Sequence, residues 1–271
     1  MGSQTPIRKP DTKGQPRRGI YLVPSLFTVG TLVCGYIAIL STLKMEFDYA
    51  AKAIGWGALF DILDGRIARL IHSTSDFGQQ FDSLADVITF GVAPAFLAFA
   101  WGVRPVEEVF GTQLVQHLRQ AGWIVTFAFL ICGVARLARF NIQSTRPTGD
   151  RRYFVGLPIP AAAGVIAGIV HWAKYPVNDW IYESVWLAVV GLLAFLMVSR
   201  LRYHTFKTLD LRRRRPYFAI IIIGIVAYAI WAYSEPVLLT VTLTYALSGP
   251  LARLTSRLRP QPHAPEEVHV A

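Results

Sequence analysis

Hydrophobic positions in this chain do not alternate with polar ones. They run together in eight long blocks, near residues 21–43, 50–71, 80–103, 122–142, 157–175, 180–199, 217–233 and 236–252. About 20 residues at 1.5 Å rise cross the hydrocarbon of a bilayer as a helix, and most of these blocks have that length. No period of two is visible, and a helix satisfies its own backbone in lipid, so strands are not expected for these blocks. The pattern predicts an all-α, polytopic transmembrane helix bundle of about eight spans. Blocks five, seven and eight are short or proline-flanked, which leaves a range of six to eight. Residues 1–19 form a polar, basic tail, 20–254 the membrane domain, and 255–271 a tail rich in Pro, His and Glu that is expected to be disordered. No internal repeat is apparent. No short apolar core with a small-residue cleavage site precedes the first block, so a cleaved signal peptide is not expected. Pro6 stands where a myristoylation signal needs Ser or Thr.

Composition sharpens this picture. Of 271 residues 53% are hydrophobic and only 16% charged, with a mean hydropathy of +0.40. A soluble chain carries about 25% charged residues. The formal charge of +10 raises the question of a nucleic-acid partner, and its distribution answers it. With the N-terminus placed in the cytoplasm and the blocks alternating, 22 of the 27 Lys and Arg fall on the inner side. The outer side holds Lys44, Lys52, Arg104, Arg119 and Lys174. That bias predicts cytoplasmic N- and C-termini and directs the basic residues to the anionic cytoplasmic leaflet, so the charge requires no nucleic acid. Cys34 and Cys132 lie inside apolar blocks and read as structural thiols, with neither a disulfide nor a metal site implied.

Against this apolar background four carboxylates stand out. Asp61 and Asp64 lie three apart in the second block, and Asp82 and Asp86 four apart in the third. Each costs about 2.5–3.5 kcal/mol at a helix centre, so an intramembrane carboxylate is functional by default. Each pair shares one helix face. A short connection makes the two helices antiparallel neighbours, so all four acids can converge at the cytoplasmic side. Four negative charges that close require either protonation or bound cations. Hard oxygen ligands from two helices suit Mg²⁺ or Mn²⁺, in a site for two ions. Salt bridges to Arg66, Arg69 or Arg136 account for four such acids poorly, and a transmembrane ion path wants carboxylates spread through the depth of the bilayer. Gly65, Ala68 and Gly78 leave room beside the acids, and Arg69 offers a fork suited to phosphate. Together these features fit a diphosphate ligand.

The string Asp61-x-x-Asp64-Gly65-x-x-Ala68-Arg69, then eight residues, then Gly78-x-x-x-Asp82-x-x-x-Asp86 resembles the signature of the CDP-alcohol phosphatidyltransferases. Residues 83–94 (SLADVITFGVAP), 136–141 (RLARFN), 156–160 (GLPIP) and the basic stretch Arg212–Pro216 are similar to the serine-using branch of that family, and the likeness covers roughly residues 20–250. It implies an integral-membrane, multi-pass enzyme with a cytoplasm-facing site, in the bacterial inner membrane if the source is prokaryotic. Such an enzyme transfers a phosphatidyl group from CDP-diacylglycerol to L-serine. By the resemblance, Asp61, Asp64, Asp82 and Asp86 hold Mg²⁺ or Mn²⁺, and Asp86 is also the general base. Gly65, Ala68, Arg69, Gly78, Thr28 and Ser25 contact CDP-diacylglycerol, and the enzyme is a homodimer. Ser25 replaces an Asn that the family often carries after the proline. Serine is a zwitterion whose carboxylate wants an Arg fork, and Arg136, Arg139 and Asn141 are the candidates for its pocket. Arg136 and Arg139 also serve as positive-inside anchors. Pro158 and Pro160 shape the start of the fifth span. Arg212–Arg215 suit anionic lipid. Other acceptors within the family are glycerol phosphate, inositol phosphate and choline. Outside it, a prenyltransferase wants a second Asp-rich motif on a non-adjacent span, and a transporter wants an inverted repeat. The chain has neither.

Overall fold

The apolar blocks fold as helices in a computed structural model that describes residues 22–70, 76–103, 112–145, 153–176, 180–204 and 232–258. Helices α1 (Leu22–Leu43) and α2 (Phe47–Leu70) form a tight hairpin. Its turn places Met45 in the left-handed region at φ 64°. The Met45 N–H donates to the Thr42 carbonyl at 3.0 Å and the Glu46 N–H to Ser41 at 2.8 Å, which satisfies carbonyls that the helix end leaves unpaired. The third block is a single rod in three parts: α3 (Asp76–Asp86), a π-helical segment (Val87–Val92) and α4 (Ala93–Gly102). Pro94 has no N–H to give the Phe90 carbonyl and its ring would clash there, and the wider π turn relieves both problems.

Helix α5 (Thr112–Thr145) runs 34 residues, well past the predicted block. It is followed by β1 (Tyr153–Val155), α6 (Ile159–Ala173), α7 (Trp180–Val198), β2 (Arg202–His204) and α8 (Ser234–Leu258). The two strands pair antiparallel, with Phe154 opposite Tyr203. They depart from a purely helical expectation but lie between the apolar blocks, where three residues leave no readable pattern. Gly156, just after β1, sits at φ 85°, and a Cβ there would stand 2.3 Å from the Met197 carbonyl oxygen. Pro158 caps α6 and Pro160 occupies its first turn, as the sequence suggested.

Four described helical stretches are long and apolar enough to cross a membrane: Leu26–Leu43, Phe77–Gly102, Arg119–Ile142 and Trp180–Val198. Helix α2 is continuous but carries charged residues along its length, Asp48, Lys52, Asp61, Asp64, Arg66 and Arg69, and α6 has only 15 residues. Residues 205–231, which contain Arg212–Arg215 and nearly all of the seventh predicted block, lie outside the described residues, as do the N-terminal tail and residues 259–271, whereas residues 255–258 of the predicted C-terminal tail belong to the last helix. Small side chains let α6 run through the centre: Ala162, Ala163, Val165, Ile166 and Val170 are fully buried. It packs against α2 and α8, while α1 packs on α2, α3 and the π segment. Large apolar side chains such as Leu26, Tyr36, Trp123, Ile131 and Phe195 point outward, as lipid-facing residues do. Cys34 is buried, Cys132 half-buried, and both are free thiols.

At one end of the bundle buried His171 ties three helices together. One ring nitrogen meets the Asp48 carboxylate of α2, and the other lies 3.0 Å from Ser234 Oγ of α8. Lys52 donates to Asp48 at 2.7 Å. Lys174 pairs with Glu235 at 2.6 Å; that hydrogen bond raises the Lys174 ammonium above the ordinary lysine range and lowers the Glu235 carboxyl. Asp48 and Asp61, 13 residues apart on α2, stand about 20 Å from each other along the axis. The carboxylate cluster therefore occupies the opposite end.

Candidate active site

Three helices fix the acidic cluster. The hydroxyl of Thr89, one turn after Asp86, donates to the Thr31 carbonyl of α1 at 2.9 Å. Its side chain fills the notch left by Gly35 of α1 and Gly57 of α2, where an added Cβ would approach to 2.5 Å and 2.7 Å. The missing Cβ atoms thus let α1, α2 and the π segment meet closely. Asp86 is held immediately beside that junction.

Carboxylate oxygens of Asp61, Asp82 and Asp86 all lie within 4.8 Å of one another. Asp86 is 9% exposed, and its Oδ1 is buried without a hydrogen-bond partner. Three converging carboxylates, one with an unmet buried oxygen, form a donor set that fits a hard divalent cation. Asp64, also buried, is turned toward α1, where it accepts a hydrogen bond from the buried Thr28 hydroxyl. It remains within electrostatic reach of Asp61, Asp82 and Asp86. The spacing reading placed four acids together; the structure brings the carboxylate oxygens of three within 4.8 Å of one another and turns the fourth toward Thr28.

Around the cluster the predicted residues separate. Gly65 is exposed and Gly78 half-buried on the helices that carry the acids. The side chains of Ser25, Ala68 and Arg69 lie outside the described residues. Asn141 of α5 reaches across to α3, its amide donating to Ser83 Oγ at 3.0 Å, and Ser83 in turn donates to the Gln79 carbonyl at 2.9 Å. Arg136 and Arg139, three apart on α5, differ in setting. Arg139 is exposed, whereas Arg136 is half-buried, lies over the Phe140 ring at 5.6 Å and interacts electrostatically with Asp86. A groove of about 360 Å³, lined by Val87, Val92, Leu130, Ile131, Val134 and Ala135, opens between the π segment and α5. Its wall starts at the residue after Asp86.

A bundle of apolar helices with convergent carboxylates at one end is the form of an integral-membrane enzyme that handles a charged group near the bilayer surface. The family model for CDP-alcohol phosphatidyltransferases matches residues 21–198, and the chain belongs to that family. A Helicobacter pylori protein (strain ATCC 700392 / 26695) named CDP-diacylglycerol–serine O-phosphatidyltransferase is 40% identical over 193 residues, covering 71% of this chain and 76% of that protein. A Bacillus subtilis (strain 168) protein of the same name is 34% identical over 188 residues, or 68% of this chain and 91% of that one. The Saccharomyces cerevisiae (strain ATCC 204508 / S288c) protein of that name is 38% identical over 152 residues, 52% of this chain and 50% of its own length.

Proposed function

We propose that this protein transfers the phosphatidyl group of CDP-diacylglycerol to the hydroxyl of L-serine, yielding phosphatidylserine and CMP in phospholipid biosynthesis. The observation that carries the reading is the convergence of Asp61, Asp82 and Asp86 around an unpartnered Asp86 oxygen. The shared name of relatives 34–40% identical supports serine as the acceptor. Asp61, Asp82 and Asp86, with Asp64 beside them, would hold Mg²⁺ or Mn²⁺. When bound, such ions neutralise charge on the diphosphate and make CMP a better leaving group.

The protein's own residues divide the remaining work. Thr28 orients Asp64 through its hydrogen bond. Gly65, Ala68, Arg69 and Gly78, with Thr28 and Ser25 from α1, border the cytidine diphosphate portion, and the apolar groove beside Asp86 receives acyl chain. Arg136 and Asn141 lie on the acceptor side. Asp86 takes the proton of the serine hydroxyl as its oxygen attacks the phosphorus that bears the lipid. The bond from that phosphorus to the CMP oxygen breaks, and CMP leaves. The site faces the cytoplasm, both termini lie there, and anionic lipids surround the basic loops; the 22 inner Lys and Arg support this orientation. A homodimer of a bundle with about eight spans completes the reading.

The test uses purified protein with CDP-diacylglycerol, Mg²⁺ or Mn²⁺, and labelled serine, glycerol phosphate, inositol phosphate or choline in parallel. Metal-dependent CMP release with labelled lipid formed from serine is expected. Turnover with another alcohol but none with serine would overturn the acceptor assignment.

A further inference from the structure

Ser83 stands between two acids of the cluster, one residue after Asp82 and three before Asp86 on α3. It is half-buried, and two hydrogen bonds meet at its oxygen. The hydroxyl donates to the Gln79 carbonyl one turn back at 2.9 Å, and the same oxygen accepts from the Asn141 side-chain amide at 3.0 Å. A hydroxyl has a single proton to give. With that proton committed inside α3, only a donor can approach Ser83 Oγ from α5, so Asn141 must turn its NH₂ toward Ser83. The amide is planar, and its carbonyl oxygen is thereby held on the opposite edge.

The same relay joins helices that carry different parts of the site. Helix α5 packs on α7, α4 and the π segment, and near its C-terminal end Asn141 reaches α3 at the level of the Asp82–Asp86 turn. That is the end of the bundle where Asp61, Asp82 and Asp86 converge. An amide held in this orientation offers an acceptor to an ammonium, whereas the flipped amide would offer N–H donors and repel one.

The geometry points to Ser83 as a positioning residue for acceptor choice: by fixing the Asn141 amide, it presents the carbonyl oxygen to the ammonium of an amino-acid acceptor. This rests on the reading of serine as acceptor. It gives a residue between the acids, outside the metal ligands themselves, a part in telling an amino alcohol from a plain one.

Ser83→Ala removes the hydroxyl that orients the amide, and Ser83→Thr keeps it. In purified enzyme Ser83→Ala should raise the KM for serine about tenfold, with kcat and the KM for CDP-diacylglycerol changing less than about twofold. Two inhibitors separate the ammonium from the rest of the acceptor. L-alanine keeps the carboxylate and ammonium, and its inhibition constant should rise by the same factor. 3-Hydroxypropionate keeps the carboxylate and hydroxyl but has no ammonium, and its constant should stay within about twofold. Ser83→Thr should restore wild-type values for all of these. An unchanged serine KM in Ser83→Ala, an equal loss for the two inhibitors, or a Ser83→Thr enzyme as impaired as Ser83→Ala would overturn the proposal. Wild-type enzyme that uses another alcohol and not serine overturns the functional reading and this inference with it. Wild-type that uses serine beside an unaltered Ser83→Ala overturns this inference alone.

Discussion

Asp86 combines burial, an unmet oxygen and two neighbouring carboxylates, and each of its roles predicts a separate result. Asp86→Asn keeps the shape and an oxygen ligand but removes the base, so kcat should fall by about 10²–10⁴. Mn²⁺ binding, followed by electron paramagnetic resonance, should persist; full activity with metal bound would exclude Asp86 as the base. Thr28 tests the shell behind the acids. Thr28→Val leaves a buried Asp64 oxygen without its donor, at a cost of about 1–3 kcal/mol in thermal or denaturant unfolding. Because Thr28 orients a carboxylate of the cluster, Mn²⁺ affinity should drop about 10–100-fold as well. At this scale the acids were readable because intramembrane carboxylates at helical spacing stand out from apolar neighbours. The division between Asp61, Asp82 and Asp86 on one hand and Asp64 on the other was not readable. It depends on a hydrogen bond between residues 36 positions apart.

At the level of elements, helices announced themselves through the length of their apolar runs, and α1, α2 and α7 keep nearly the predicted limits. What spacing could not convey was how closely they approach and where the backbone departs from an α-helix. The π segment follows from Pro94, yet a proline inside an apolar block reads equally well as a kink. The strand pair depends on Gly156, whose left-handed backbone faces the Met197 carbonyl. Gly156→Ala combines a left-handed penalty of about 1–2 kcal/mol with that clash. A loss near 2 kcal/mol should lower the midpoint of thermal unfolding by about 4–8 °C. Gly55 on exposed α2 has nothing within 4 Å of an added Cβ. Gly55→Ala should therefore leave the midpoint unchanged or raise it slightly, by about 0.4–1 kcal/mol of stability. Equal behaviour of the two variants would show that the Gly156 geometry does not matter.

The whole molecule has two polar ends separated by the thickness of its apolar middle. One carries Asp61, Asp82, Asp86 and Arg136; the other carries Asp48, His171, Lys174 and Glu235. Under the proposed orientation, which the bias of 22 inner to five outer basic residues supports, these ends lie on opposite sides of the membrane with the acidic cluster inside. The proposed reaction requires that sidedness, because a nucleotide-linked lipid and free serine would both be met at a cytoplasmic surface. Arg139 and Lys174 are exposed reporters of the two ends. Single cysteines at these positions, with Cys34 and Cys132 replaced by alanine, can be challenged in intact cells with a membrane-impermeant maleimide. Position 174 should label at once, and position 139 only after the membrane is opened. The reverse order would turn the bundle over and place the carboxylates on the side away from CDP-diacylglycerol and serine. Labelling of both in intact cells would mean that the helices between them do not separate the two ends across the bilayer.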